Sequence, residues 1–481
     1  MTMTKPTLRQ LPAEILMLVM QHLSVDDLLA CRLVCRRLGS LVLQPEVWCR
    51  RQLGDDKPCL CAVLCLAPCL DKVVFSNKVH TKAFTMTRCA VRHLTLHIKK
   101  GTECAQACVA VLKQELLGRL RSVELEVWHS PEDVAPLDSG EALLKTLVSC
   151  SSGLESLDLH DGLPRPYTMR PVLHGPLRSS LTYFRCEISE ASETFVNTVL
   201  AGHAASLEEV HLGSGDCKKD TFQLFVGVPN LRSLTCLMFP GMQVLASCQK
   251  LRDVSFYADD RIPEPVVRGA AKFFRLARKL RSVSVEFCYS EGDRRRFMEL
   301  LEALCSSGES LEQLSVVCPP NLPPLLRALP RLPALQLLGV LVTTLIDPLP
   351  DGQEKERHKF LVGITPATAP SLRRLELSTN DTLGCLHEWL HRDAVARVLT
   401  ANPSLHIHVW GTHGCNFLRW RRQRYCEACA MGCHREATGN FEEDEERRVG
   451  LFSHGPGKCT HPEDHVTGDK WTWIHIHCNS D

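Results

Sequence analysis

Leu251-Arg252-Asp253-Val254-Ser255-Phe256, Leu280-Arg281-Ser282-Val283-Ser284-Val285 and Leu311-Glu312-Gln313-Leu314-Ser315-Val316 are three copies of one pattern. In each, a leucine precedes two variable residues, an apolar residue, one variable residue and a second apolar residue. Alternation with a period of two describes a strand with one buried face. The same spelling occurs at Leu154 to Leu159, Leu207 to Leu212, Leu231 to Leu234 and Leu372 to Leu377, and weaker copies start at Val91, Leu120, Leu181, Leu335 and Leu405. About a dozen copies at intervals of roughly 20 to 37 residues make a repeat array.

Runs of helical period lie between the strands, for instance Leu143, Leu144, Leu147 and Val148, or Phe297, Leu300, Leu301 and Leu304. Each unit is therefore a strand and a helix. One unit cannot bury its own apolar face, but stacked neighbours can, and the fold class that follows is an α/β solenoid over residues 91–410. The array resembles leucine-rich repeats. A turn asparagine or cysteine stands at Cys288 and Asn380 but is absent from most copies, so an irregular horseshoe is expected. No glycine-rich phosphate loop follows an early strand, which sets the chain apart from doubly wound nucleotide enzymes.

Within each strand the fourth and sixth motif residues point inward, so the third, fifth and seventh line an exposed face. Small polar residues dominate that face, as in Ser282, Ser284 and Ser315. Tyr257, Val317, Leu337 and Leu341 break the trend and are the candidate substrate-binding residues. Apolar groups there want cover. The cover is either a substrate segment or the long stretch from Thr343 to Pro370 folding back.

At the other end, Pro12 suits a first helical position, and Ile15, Leu16, Val19 and Leu23 recur at helical spacing. Ser24 with Asp27 is close to a capping box and opens a second segment that Gly39 is expected to end. Pro45 starts a third, with Val47 and Trp48. Three such helices are too small to be stable uncovered, and their apolar residues go around more than one side. The order Leu11-Pro12-Ala13-Glu14-Ile15-Leu16, Leu23-Ser24, Asp27-Leu28-Leu29, Cys31 to Leu38 and Pro45-Glu46-Val47-Trp48 closely resembles the F-box motif, with Leu38 in place of the usual aromatic. The resemblance implies a substrate-recognition subunit of a Skp–cullin–F-box ubiquitin ligase with no catalysis of its own. Its partners would be a Skp-family adaptor and, through it, cullin and RING subunits, with a protein substrate on the repeats. By that analogy Leu11, Pro12, Ile15, Leu16, Leu28, Leu29, Val34, Cys35, Leu38 and Trp48 form or support the adaptor-facing surface. A binding scaffold without a ligase role is the other reading. The resulting division is an N-terminal tail 1–7, an F-box 8–53, a helical linker 54–90, the solenoid 91–410 and a Cys/His-rich tail 411–481.

Composition is that of an ordinary globular protein. Apolar residues make up 44% and charged residues 23% of 481, with a net charge of +1, so neither disorder nor a general attraction to phosphate is indicated. No apolar run reaches the roughly 18 residues of a membrane span, and a cytoplasmic or nuclear location is expected. The 25 cysteines are odd in number and scattered, which suits reduced thiols. Cys61, Cys65 and Cys69 share a helical spacing among leucines and valines and are expected to be core thiols. No cofactor is required, but Cys426, Cys429 and Cys433 with His434, Cys459 or His461 offer a four-ligand set for structural zinc. Arg419, Arg421, Arg422 and Arg424 around Trp420 could meet nucleic acid, but the acidic run Glu442 to Glu446 can neutralise them, so nucleic acid is not an expected partner.

Overall fold

The computed structural model describes residues 11–54, 57–75, 85–98, 103–127, 137–160, 178–189, 192–215, 219–258, 262–287, 293–317, 322–341, 351–378, 393–412, 447–455, 457–465 and 471–477. They divide into two compact units, Met1–Leu231 and Arg232–Asp481. Among them no helix is long and apolar enough to cross a membrane.

The first unit opens with four short helices, α1 (Ala13–Gln21), α2 (Val25–Val34), α3 (Arg36–Val42) and α4 (Pro45–Trp48). Seven strands follow: β1 (Gln52–Gly54), β2 (Cys69–Phe75), β3 (Ala90–Ile98), β4 (Ser122–Val127), β5 (Ser156–His160), β6 (Tyr183–Cys186) and β7 (Glu209–His211). Each is parallel to its neighbour in chain order. The second unit holds β8 (Ser233–Leu237), β9 (Asp253–Ala258), β10 (Ser282–Phe287), β11 (Gln313–Val317), β12 (Leu337–Leu341), β13 (Arg374–Ser378) and β14 (His406–Thr412), again parallel in order. There β15 (Arg447–Phe452) turns antiparallel against β14, and β16 (Trp471–His475) runs parallel to β15.

Register matches motif position to motif position. Val283 lies beside Val254 and Leu314, and Ser282 beside Asp253 and Gln313. A slip of one residue would send every inward side chain to the wrong face. Leu157, Leu159, Val254, Phe256, Val283, Val285, Leu375 and Leu377 are buried as the alternation requires. Each contributes roughly 1.5–3 kcal/mol by leaving water. Their counterparts come from helices that connect successive strands: Phe256 meets Phe273 and Phe274 of Glu264–Leu276 at ring separations of 5.9 and 5.8 Å, and Phe184 meets Phe195 of Glu193–His203 at 6.3 Å. The architecture is the leucine-rich-repeat-like α/β arrangement that the repeats imply.

Several local expectations need correction. The second helical segment does not run on to Gly39. It breaks at Cys35, whose backbone is extended and whose sulfur accepts the Leu38 N–H at 3.5 Å, so α2 and α3 are separate helices. Gly39 sits inside α3 because a Cβ there would stand 3.1 Å from the Arg32 carbonyl oxygen. The Ser24 cap is present, with Ser24 Oγ accepting the Asp27 N–H at 3.1 Å and donating to Asp27 Oδ2 at 2.7 Å. Residues 54–90 contain a helix, Leu60–Leu66, but also β2, since Pro68 stops the helix and the chain then joins the sheet. The array thus begins ahead of residue 91. Cys61 and Cys65 therefore share a face of that helix, half-buried and exposed, while Cys69 stands on β2 and is the buried one, its thiol pushed up chiefly by burial. Cys288 and Asn380 lie outside the described residues. The stretch from Thr343 to Pro370 holds helix Asp351–Gly363, which packs between helices Leu322–Ala328 and Asp393–Ala401, so its described residues join the helical layer and do not cover the strand face.

One polar group is built into the core of the first unit. His203 is fully buried, and its Nδ1 accepts the N–H groups of Ser180 and Leu181 at 3.1 and 3.3 Å. That leaves Nε2 to donate to Ser151 Oγ at 2.8 Å, and Ser151 in turn donates to the Val148 carbonyl at 2.7 Å. Burial pushes the imidazole down from 6.5 to about 4. Below pH 6.5 the unfolded chain takes up a proton that the folded ring refuses, so this contribution to stability is complete above that pH and is lost toward pH 4. His203→Ala is expected to cost about 2–4 kcal/mol, from lost packing and orphaned N–H groups. His203→Gln is expected to flatten the fall in melting temperature below neutral pH, as read by calorimetry across a pH series. An unchanged slope would count against this role.

Candidate functional site

The helices α1 to α4 have two different sides. On their inner side they bury Leu16, Met20, Leu28, Leu41, Val42, Val47 and Trp48. The Trp48 indole donates to the Val42 carbonyl, and Arg51 stands over the Trp48 ring while donating to the carbonyls of Met20 at 2.8 Å and Val47 at 2.9 Å. Cys69 of β2 donates to the Pro45 carbonyl, and Arg119 donates to the Cys49 carbonyl at 3.2 Å. These contacts seat the helices on the first strands of the same unit.

The other side is apolar and open. Ile15 is 43% exposed, Leu18 53%, Val19 48%, Val34 69% and Leu33 85%. Arg37 braces this side by donating to the Leu11 carbonyl at 2.6 Å. Of the adaptor-facing candidates, Pro12, Ile15, Val34 and Cys35 are exposed, Leu11, Leu29 and Leu38 half-buried, and Leu16, Leu28 and Trp48 buried. The buried three can act only as support. Leu18, Val19 and Leu33 are exposed as well, and motif resemblance does not single them out because it ranks positions by identity and not by solvent.

On the strand face the ladder groups residues that are far apart in sequence. In the first unit Thr95, Glu124, Asp158, Arg185 and His211 form one cross-strand row. It is polar and internally paired, with Lys72 to Glu124 at 3.1 Å, Thr95 donating to Glu124 at 2.7 Å and Arg185 to Asp158 at 3.9 Å. Pairs this exposed stabilise little, about 0–1 kcal/mol each. In the second unit one row reads Ser255, Ser284, Ser315, Gly339, Glu376 and His408, and another reads Leu237, Tyr257, Glu286, Val317 and Leu341.

Tyr257, Val317 and Leu341 are therefore brought into one row, whereas Leu337 falls in a different one, between Gln313 and Arg374. Leu237 and Val317 are buried, Tyr257 and Leu337 half-buried, and burial pushes the Glu286 carboxyl up. The row is partly sheltered already. Gly339 leaves room for its neighbour: a Cβ there would come within 2.9 Å of Ser315 Oγ.

Cys426, Cys429, Cys433 and His434, with the arginines from 419 to 424, lie outside the described residues. Cys459 and His461 are described, and they go to different neighbours. His461 Nδ1 is 3.0 Å from Arg373, while Cys459 Sγ is 3.5 Å from His406 Nε2.

Residues 8–53 match the family model for F-box-like domains. This chain carries an F-box-like domain. A domain of this family suggests an adaptor role in ubiquitin ligase complexes. Curated proteins return no match. Among solved structures, the one titled "Crystal structure of TLR13-ssRNA13 complex" is similar at 13% identity and a TM-score of 0.32, over 71% of this chain and 57% of that one. The chain thus spans a little over half the length of that protein. At that score the likeness carries no argument, and the repeat architecture behind the F-box-like domain rests on the strand registers given above.

The two sides of the F-box-like domain are expected to respond differently to mutation. Trp48→Ala should destabilise it by about 3–5 kcal/mol through the cavity and the lost indole bond. Val34→Asp should shift it by less than about 0.5 kcal/mol, since its side chain is in water. Hydrogen exchange of residues 13–48 measures both, and equal losses of protection would contradict the two-sided packing.

Proposed function

We propose that this protein is the substrate-recognition subunit of a Skp–cullin–F-box ubiquitin ligase. The observation that carries the reading is the set of exposed apolar residues on α1 and α2, lying within the residues that match the F-box-like family. Five large aliphatic groups in water on one small domain call for a partner surface. A Skp-family adaptor is the partner in this proposal, with cullin and RING subunits reached through it.

The strand face then holds a protein substrate, and the contribution to ubiquitin transfer is proximity, which raises the effective concentration of substrate lysines near the charged enzyme. No residue of this chain takes part in bond making. Tyr257, Val317, Leu337 and Leu341 remain the proposed substrate contacts. Tyr257 is the most useful to test, because its side chain is half-buried and so within reach of a partner.

Co-purification with the adaptor tests the first step. Ile15→Asp combined with Val34→Asp is expected to cut adaptor recovery at least tenfold while leaving the fold intact, and Leu11→Ala with Pro12→Ala should also reduce it. Undiminished recovery would reject the assignment. Adaptor binding without cullin in the same complex would point to a scaffold outside the ligase. For the second step, Tyr257→Glu is expected to remove proteins that accumulate on the chain under proteasome inhibition, with adaptor binding unchanged. Loss of both together would indicate misfolding.

A further inference from the structure

Four side chains meet at the end of the strand face in the second unit, and none of them has a part in the ligase reading. His406 opens β14, in the same row as Arg374 of β13, and is fully buried. His454 lies just beyond β15, and Cys459 and His465 stand on either side of the short turn Pro462–Asp464. His406 Nε2 is 2.9 Å from His465 Nε2, which is 3.2 Å from His454 Nε2, and Cys459 Sγ is 3.5 Å from His406 Nε2. All four atoms lie within 4.8 Å of one another.

Hydrogen bonding alone does not account for this convergence. A ring nitrogen is either one donor or one lone pair. His465 Nε2 faces two other Nε2 atoms at once with a single hydrogen or a single lone pair to divide between them, while the buried Nδ1 atoms of His406 and His454 have no hydrogen-bond partner among the described residues. A cation at the shared point would accept every lone pair. Tetrahedral zinc, with bonds of about 2.0–2.1 Å to nitrogen and about 2.3 Å to sulfur, separates its ligand atoms by roughly 3.3–3.6 Å. The three contacts at 2.9, 3.2 and 3.5 Å lie near that range, and the remaining pairs lie within 4.8 Å.

We propose that His406, His454, Cys459 and His465 form a structural zinc site that fastens the segment 453–465 across the end of the strand face. It takes Cys459, one of the alternative fourth ligands of the Cys426, Cys429 and Cys433 set, into a different site, and it does not depend on the ligase reading. Three imidazoles and one thiolate suit zinc and not a hard cation such as magnesium or calcium. Four protein ligands fill the tetrahedron, which leaves no open position for catalysis.

The segment itself needs such a fastening. Among its described residues, 453–455 and 457–465, no apolar side chain is buried; Asp464 is the one buried residue. Its other ties are polar: Ser453 donates to the Leu399 carbonyl at 3.0 Å, His408 Nε2 is 3.2 Å from the Asp464 carbonyl, and Arg373 lies 3.5 Å from Glu463 and 3.9 Å from Asp464. The neighbouring trio His461, Glu463 and Asp464 is not a second metal site, since the Arg373 guanidinium already supplies its positive charge.

The surroundings favour a ligand role. Trp473 packs on His465 at 4.4 Å and on His406 at 5.9 Å between ring centres, and Phe452 packs on His454 at 4.9 Å. Trp473 can lie there because residue 450 is glycine; a Cβ at that point would be 2.3 Å from its ring. An aromatic wall of this kind lowers the local dielectric and holds ligand rings in place. Burial, followed by the neighbouring imidazoles, pushes His406 down to about 4, and burial also lowers His454 and His465. The rings are thus kept in the neutral form that can ligate.

The test uses the full-length chain with Cys426→Ser, Cys429→Ser and Cys433→Ser combined, so that metal retained must come from elsewhere. After dialysis against zinc and removal of the excess, elemental analysis is expected to find one equivalent of zinc. Adding Cys459→Ser and His465→Ala should bring it to background. Cobalt loading gives a readout that misfolding cannot imitate: tetrahedral ligand-field bands with a thiolate-to-cobalt band that vanishes in Cys459→Ser and about doubles in His454→Cys. Background zinc in the starting variant, or zinc and cobalt bands unchanged by Cys459→Ser with His465→Ala, would overturn the proposal.

Discussion

A strand and a helix from one repeat cannot hide their apolar faces from water, and the rest of this protein follows from that constraint. Neighbours must stack with inward pairs such as Val254 and Phe256 beside Val283 and Val285. Stacking leaves two ends where the next repeat is missing, and an uncovered end strand is a site for aggregation. The first unit closes its beginning with the helices α1 to α4, tied down through Trp48, Arg51 and the Cys69 to Pro45 contact. The second unit closes its finish differently, by reversing direction at β15 and adding β16.

The closing helices do two jobs because their apolar residues surround them. Leu16, Leu28 and Trp48 are buried, while Ile15, Leu18, Val19, Leu33 and Val34 stay in water. In a domain this small, the same residues that would make a larger core are therefore available for another chain. That division of faces is the physical content of the adaptor proposal.

Along the strand face, the chemistry changes between the units. Charged pairs such as Lys72 with Glu124 occupy the first, whereas small residues and a sheltered apolar row occupy the second. A binding partner would meet polar, salt-sensitive contacts on one and shape-selective contacts on the other. At β14 the segment 453–465 reaches over the face, so His406 and His408, at positions that elsewhere are half-open, are fully buried.

Much of this was legible from residue order alone. The alternation after each leucine determined which side chains are inward, and the registers agree with it position by position, because a strand offers only two faces and water selects one. The Ser24 cap and the Pro45 helix start were readable for the same local reason. What the sequence could not reveal is anything decided between segments distant in the chain. The strand at Cys69 to Phe75 comes from having β1 and β3 beside it. Cys459 carried no local signal linking it to His406, 53 residues earlier. Period and capping act within a few residues, but the meeting of these ligands depends on an antiparallel turn of the sheet, which only the folded chain supplies.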